Sequence, residues 1–551
     1  MQREICCTKN ILSKLLILMI FCIGITLSQN NIPRKKLLQD FNYLVNTIES
    51  THPTPYHGFG GRMFFHLKAN ECREKIPPAG MTRKEFYFIV SEFVVNVNDK
   101  QTFIYSPFRR LQWMREILPV ELKIVSDGLI IKKSLPEYYS LIGAEIKSVN
   151  GVTVDELLKR MRQVQPCENI SGVWYLLKKH LTDLDLCKQL FPSVKGKLTI
   201  EAALPDSTNK EVIMCYEREF EQYRFIDINK KKNSKRNIIP FTYKFLDDKN
   251  TAACLKFTST WARETMEEMK NIGGNCSFLF LQAYKIFQLD VKREEYEKNM
   301  INIPSLTRLF YDMLVEMKKN NSKHLIIDLR ESDKGFGFTT FPTLYLLFGD
   351  KYLNYNNKKV FCEFISENYL RKSSSKTIEK FNEKNKTSCK VGDYKFYNRL
   401  LNKLSEIKNP EERIKQYIKN SSHFSEIKIL EKQNGKPVYS PKIIVVTSPA
   451  TFDGAFQYLG LLKNIGDIKI VGVASRQAYN LGFGRFDFEL KNSRLLFSVS
   501  KSYDLYKTKN PRSGDIIQPD FPFTKELFKK YKFDEDAEIL YIKDLIKKNK
   551  L

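Results

Sequence analysis

No two cysteines in this sequence stand at CxxC spacing, and no segment repeats at a fixed period. The first absence excludes the usual thiolate zinc sites, whose ligands come in closely spaced pairs. The second excludes repeat architectures. Long apolar runs are missing too: the run Leu15 to Leu27 has thirteen residues, against the roughly 20 that a bilayer-crossing helix needs. Histidine is scarce, with six in 551 residues, so few side chains could act as a base near neutral pH. What is present is a folding composition. Hydrophobic residues make up 42% and aromatics 13%, too rich for disorder, and the length calls for two or three domains. Lys plus Arg number 90 against 63 Asp plus Glu, a formal charge of +27. These cations are spread along the sequence, which is the pattern of a solvated lysine-rich surface and not of a nucleic-acid stripe. The cluster Lys230, Lys231, Lys232, Lys235 and Arg236 sits between patterned segments and reads as a loop.

Residues 1–28 read as a signal peptide. Arg3, Lys9 and Lys14 lead the short apolar run, and Thr26 and Ser28 supply small residues for a cut after Ser28. Secretion or a periplasmic place follows, with membrane contact only if the segment stays as an uncleaved anchor. Export permits disulfides among the eight remaining cysteines, and Cys167 with Cys187, or Cys362 with Cys389, are candidate local pairs. Asn169, Asn385 and Asn420 head glycan-acceptor triplets, usable only in a eukaryotic secretory route.

Between 29 and 110 the pattern is helical. Leu37, Leu38, Phe41, Leu44, Val45 and Ile48 recur at helical spacing until the prolines of Thr51-His-Pro-Thr-Pro-Tyr56 stop it, and Thr82 caps a second helix. From 111 to 225 the reading is strand, glycine, strand, an Asn150-Gly151 turn and a short helix from Val154, which resembles part of a PDZ-type module. Such a module takes an extended peptide as an added strand. Residues 224–237 read as a linker. From 240 to 551 strands and helices alternate (Cys254-Leu-Lys-Phe257, Leu306 to Met317, His324 to Arg330, Lys442 to Ser448, Ala455 to Leu462, Lys469 to Gly472), the mark of an α/β core with parallel strands. The polar, lysine-rich stretch from about 354 to 436 reads as an insertion over that core.

Two segments go beyond a generic α/β domain. Leu325-Ile-Ile-Asp-Leu-Arg-Glu-Ser-Asp-Lys-Gly335 and Val445-Val-Thr-Ser-Pro-Ala-Thr-Phe-Asp-Gly-Ala-Phe456 resemble the "Asp-Leu-Arg, glycine turn" and the nucleophile segment of the S41 (tail-specific) serine peptidases. Leu490 to Phe497 resembles that family's strand after the nucleophile, and Gly514 to Asp520 its closing segment. His52-Pro-x-x-Tyr56 and Asn98-Asp-Lys-Gln-Thr-Phe103 resemble its helical leader. The resemblance runs from about residue 35 to 525 in family order. It implies a ClpP/crotonase-like S41 protease core, α/β in class, with a helical N-terminal domain and a PDZ-like module. It also implies peptides or unfolded protein segments as partners, no nucleic acid, and neither cofactor nor metal.

The implied chemistry is acyl transfer by a serine on a strand-to-helix turn, with a His or Lys base and backbone N–H groups for the oxyanion. The resemblance puts the nucleophile at Asp453, the His base at Gln101, the Lys base near Ala478, and the oxyanion turn at Lys334-Gly335 with Gly454. Asp453 reads as the anionic N-cap of the following helix, and an amide such as that of Gln101 accepts no proton near pH 7. Ser448 and Ser475 are the remaining serines nearby, without a histidine that the sequence brings to them. The expectation is an exported S41 homologue with impaired catalysis. An active serine endopeptidase with displaced residues, or a binder of a hydrophobic ligand in a closed apolar cleft near Phe336 and Phe452, stays open.

Overall fold

In a computed structural model the protein is described over residues 31–551, except 108–114, 232–239, 274–276, 334, 356–358, 399, 480 and 507–515. The signal segment 1–28, Lys334, Gly514 and Cys276 therefore lie outside the described residues. Among the described residues, no helix is long and apolar enough to cross a membrane.

The fold opens on three helices, α1 (Arg34–Glu49), α2 (Arg62–Glu74) and α3 (Arg83–Val94). Leu37, Phe41, Leu44 and Ile48 of α1 pack on Phe65, Phe86 and Phe93, all fully buried. Thr82 starts α3 with a capping box: its hydroxyl accepts from the Glu85 N–H, and the Glu85 carboxylate accepts from the Thr82 N–H. A two-residue strand, β1 (Phe103–Ile104), follows.

Next come β2 (Val120–Val125), β3 (Gly128–Ser134), β4 (Glu145–Val149), α4 (Val154–Val164), α5 (Ile170–Thr182), β5 (Lys197–Ala203) and β6 (Asn209–Cys215). The five strands form an antiparallel sheet in the order β2-β3-β4-β5-β6. Asn150 and Gly151 both have positive φ, 49° and 76°, as a two-residue hairpin turn requires. α4 and α5 close one face of the sheet over Leu122, Ile131, Ile146, Leu157 and Leu177.

The remainder is built on β7 (Phe241–Phe245), β8 (Ala252–Phe257), α6 (Leu306–Lys319), β9 (His324–Asp328), α7 (Phe341–Phe348), β10 (Lys359–Phe364), β11 (Tyr394–Asn398), β12 (Lys442–Thr447), α8 (Gly454–Ile465), β13 (Ile468–Gly472), β14 (Leu481–Glu489), β15 (Leu496–Tyr506), β16 (Phe521–Pro522) and α9 (Ala537–Lys547). Six of these strands make one sheet, β7-β8-β9-β12-β13-β16, parallel except for the β7–β8 hairpin. All five residues of β9 are buried, as a central parallel strand covered on both faces must be. Leu325 and Ile327 join α6, α7 and α8 on one face, and Ile326 meets Ile539 and Ile542 of α9 on the other.

Two expectations are corrected here, and one is filled in. The 354–436 stretch contains strands: β10 and β11 pair with each other, and β10 pairs with β15, in a five-stranded sheet that also holds β14 and β1. Their short apolar runs are diluted by lysine, which hid the period. Leu490 to Leu495 is not a strand but the turn between β14 and β15, closed by the Leu490 N–H donating to the Leu495 carbonyl at 2.8 Å. Cys167, Cys187, Cys362 and Cys389 are free thiols. Neither expected pair is bonded, and Cys187 and Cys362 are buried.

Candidate functional site

The strand-to-helix turn after β12 is the most constrained point of the parallel sheet. Phe452 donates its N–H to the Ser332 carbonyl, tying this turn to the one after β9. Asp453 follows with φ 56° and ψ −119°, a conformation that costs a non-glycine residue of order 1–3 kcal/mol and persists where the surroundings enforce it. Gly454 then opens α8. A Cβ on Gly454 would stand 2.7 Å from Thr260 Oγ1 and 2.8 Å from the Phe336 carbonyl carbon, and one on Gly335 would stand 2.0 Å from the same Thr260 oxygen. Gly335 and Gly454, the two expected oxyanion residues, are therefore brought together across Thr260. Only glycine allows that approach.

Asp453 does not cap α8 through its side chain, contrary to expectation. With φ positive the side chain does not reach back to the N–H groups of the first turn. Its own N–H donates to Gln477 Oε1 at 2.6 Å. Nor is its anion favoured: burial pushes the carboxyl up to about 6, while Lys100 and Arg476 pull the other way.

Gln101 reaches the same place by another route. Asp99 is fully buried and accepts from His52 Nε2 at 3.0 Å, Thr102 Oγ1 at 2.7 Å, the Gln101 N–H at 2.9 Å and the Ser500 hydroxyl. The Thr54 N–H donates to His52 Nδ1, which leaves Nε2 to carry the proton toward Asp99. Burial alone would raise the Asp99 carboxyl; the His52, Ser500 and Thr102 bonds hold it below its ordinary value. His52 is thus structural, as is His180, bonded to the Leu176 carbonyl and Gln189. The Asp99 anchor fixes the loop that carries Lys100 and Gln101. Both side chains line a cavity of about 340 Å³ together with Phe452, Tyr175, Glu168 and Arg476.

Lys100, Glu168 and Arg476 were not singled out in the sequence, though Lys100 adjoins Gln101 and Arg476 follows the Val-Gly end of β13. Lys100 Nζ lies 3.2 Å from the Phe452 ring centroid, and the Arg476 guanidinium carbon 4.3 Å from that centroid and 3.9 Å from that of Tyr175. Burial, and then Arg476, draw the Lys100 ammonium well below its usual range. Glu168 precedes Asn169, whose side-chain amide caps α5 and donates to the Ser475 carbonyl at 3.2 Å. Glu168 accepts from the N–H of Ala478 at 2.8 Å, and burial pushes its carboxyl up to about 7. The Lys-base position is thus a buried alanine, its backbone committed to Glu168. Charged side chains, Lys100, Glu168, Lys179, Asp333, Arg476 and Arg485, share the cavity lining with aromatic and aliphatic ones.

Both alternative serines donate their hydroxyls to backbone carbonyls. The Ser448 hydroxyl donates to the Arg330 carbonyl at 2.6 Å, and the Ser475 hydroxyl to the Thr451 carbonyl. Among the described residues no group of His, Cys, Asp and Glu could hold a metal ion.

No protein-family model matches the sequence, and no curated protein matches it. Solved structures do match in fold. Mature CPAF complexed with lactacystin aligns at 13% identity over 92% of this protein and 97% of that one, with a TM-score of 0.53. Mature CPAF alone aligns at 13% identity over 92% and 97%, with a TM-score of 0.52. The photosystem II D1 C-terminal processing protease aligns at 10% identity over 91% and 96%, with a TM-score of 0.40. The fold is S41-like, mixed α/β, as expected. Identities this low establish the fold alone.

Proposed function

We propose that this protein, which has the fold of S41 peptidases, is an exported homologue whose hydrolytic chemistry is impaired and whose cleft binds polypeptide. One observation carries the reading. Asp453 stands on a strained strand-to-helix turn, and the resemblance puts the nucleophile of an S41 peptidase at that residue. A carboxylate there is a weak nucleophile toward an amide, and its charge opposes an oxyanion forming beside Gly335 and Gly454. Gln101, in the place of the base, can donate and accept hydrogen bonds but takes up no proton near pH 7. Ser448 and Ser475 spend their protons on backbone carbonyls. In this reading residues 1–28 direct export, 29–110 are the helical leader, 111–225 the PDZ-like module, and 240–551 the core.

Binding outlasts loss of chemistry because recognition uses groups that are still in place: the glycine-lined turns, the aromatic walls and the charged cavity. The test has two arms on the full mature protein. A fluorophosphonate probe and an unstructured casein substrate are expected to give neither a labelled serine nor turnover. Fluorescence anisotropy with unstructured labelled peptides is expected to show saturable binding. A labelled Ser448, or any labelled serine whose mutation abolishes turnover, overturns the impairment; absence of peptide binding overturns the binding role.

A further inference from the structure

The cavity beside Phe452 contains more charge than its own residues satisfy. Lys100 and Arg476 both sit against the Phe452 ring, so the two cations are no further apart than the sum of their distances to its centroid. Burial and the neighbouring Arg476 lower the Lys100 ammonium, and burial lowers Arg476 itself. Arg476 Nη1 donates to the Pro449 carbonyl at 2.9 Å, yet its Nε, buried, has no hydrogen-bond partner. Lys100 Nζ rests on the ring, and the acids that act on it are Glu168 and Asp453. Across the cavity Glu168 uses one oxygen for Ala478, and its Oε1, also buried, has no partner. Arg476 and Glu168 are each only 6% exposed. Lys179 and Arg485 add two more cations to the lining, with Asp333 as its other acid, and the Asp453 carboxyl acts on both Lys100 and Arg476 from beside the cavity.

Unpaired buried donors and acceptors cost stability, and crowded like charges add to the cost. A protein keeps such an arrangement where a ligand completes it. The missing complement can be read from the atoms. Two cationic donors, Lys100 Nζ and Arg476 Nε, need acceptor oxygens that carry negative charge. Glu168 Oε1 needs a donor. The aromatic faces of Phe452, Phe103 and Tyr175 fit the backbone and side chains that join the two. We infer that this cavity is a recognition site for a carboxylate carried on a polypeptide, held by Lys100 and Arg476, with a neighbouring amide N–H donating to Glu168.

The inference rests on the proposed polypeptide binding and adds the group that is read. An acidic side chain and the free C-terminus of a polypeptide present the same chemistry, and the experiment separates them. Three labelled peptides of equal length and otherwise identical sequence are compared by anisotropy. One lacks acidic residues and has an amidated C-terminus, one carries a single internal glutamate with the same amide, and one has a free C-terminus only. The wild-type protein is expected to bind one or both carboxylate peptides at least tenfold more tightly than the neutral one. Arg476→Met and Lys100→Met are expected to erase that preference, and circular dichroism with a melting curve reports that these variants are folded. Glu168→Gln keeps one acceptor oxygen and turns the other into an NH2 donor, so it cannot accept from both Ala478 and the ligand; overall peptide affinity is expected to fall while the preference for a carboxylate, read by Lys100 and Arg476, persists. Equal affinity for all three peptides overturns the inference and leaves the binding proposal intact. If no peptide binds, N-acetylphenylalaninate titrated calorimetrically decides the site by itself. Heat lost in Arg476→Met upholds the carboxylate site without the polypeptide reading, and no heat with wild type ends both.

Discussion

Asp453 holds two costs at once: a strained backbone and a buried carboxyl displaced from its ordinary value. The second gives a sign that can be measured. Because the folded carboxyl titrates near 6 and an unfolded one near 4, the folded protein holds the extra proton between those values. Stability from this group therefore falls as pH rises through that window, and the loss is complete above it. The shift corresponds to about 3 kcal/mol at most. Asp453→Asn removes the titration, and Asn shares with Asp a tolerance for positive φ. The variant is expected to melt higher than wild type at pH 8, with the gap closing at pH 4.5. Glu168, raised in the same sense, is present in both proteins, and Lys100, lowered by burial and supported by Asp453, loses that support in the variant, so the difference between the two curves reads Asp453 together with its coupling to Lys100. A gap equal at both pH values shows that charge is not its cause. Asp453 and Gln101 could be proposed from the sequence because each occupies a fixed offset in a motif. Lys100, Glu168 and Arg476 were not legible, since their meeting depends on three loops converging from distant parts of the sequence.

At the scale of elements, the loop carrying Lys100 and Gln101 has almost no secondary structure of its own. It is held by β1, two residues long, against β15, and by the four bonds into Asp99. β14 completes the support. A Cβ on Gly482 would lie 2.1 Å from Ser500 Oγ and 2.4 Å from Asp99 Oδ1, so the strand approaches the anchor as closely as a bare backbone permits. Gly482→Ala is expected to destabilise the protein by about 1–3 kcal/mol through overpacking. It is also expected to speed hydrogen exchange at the amides of Gln101 and Thr102, which donate to Asp99. Unchanged exchange at those two amides would show that β14 does not support the loop. The helices and the parallel strands of the core were legible because their apolar periods are long and undiluted. β10, β11 and β14 were not: lysine, asparagine and glycine break their alternation, and their pairing, β10 and β14 with β15 and β11 with β10, is a tertiary matter.

For the whole molecule, the question is what couples the β2–β6 module to the parallel core. The Asp-Leu-Arg motif answers part of it. Arg330 at the end of β9 makes a two-pronged bond to Asp328, at 2.9 and 2.8 Å, and a 2.6 Å bond to Glu538 of α9. Glu538 also accepts Lys123 of β2 at 2.6 Å. One carboxylate thus joins the module, the core sheet and the last helix. Burial would raise the Glu538 carboxyl, but Lys123 and Arg330 bring it down to about 2. Its contribution is present above its ordinary value near 4.5 and is lost as pH falls toward 2. Glu538→Gln strands Lys123 and leaves Arg330 with Asp328 and Asp536; removing one partner of a buried network costs about 3–5 kcal/mol. The expected signature is a module that melts separately, with one urea transition becoming two. Replacing the pair together, Glu538→Leu with Lys123→Met, removes the stranded charge and is expected to recover most of the loss, because a packed apolar pair can stand in for a buried ion pair. If the single variant keeps one transition at the wild-type midpoint, the coupling lies in the apolar contacts of Phe523 and Phe528 with Val125 and Ile130, and the network contributes only orientation.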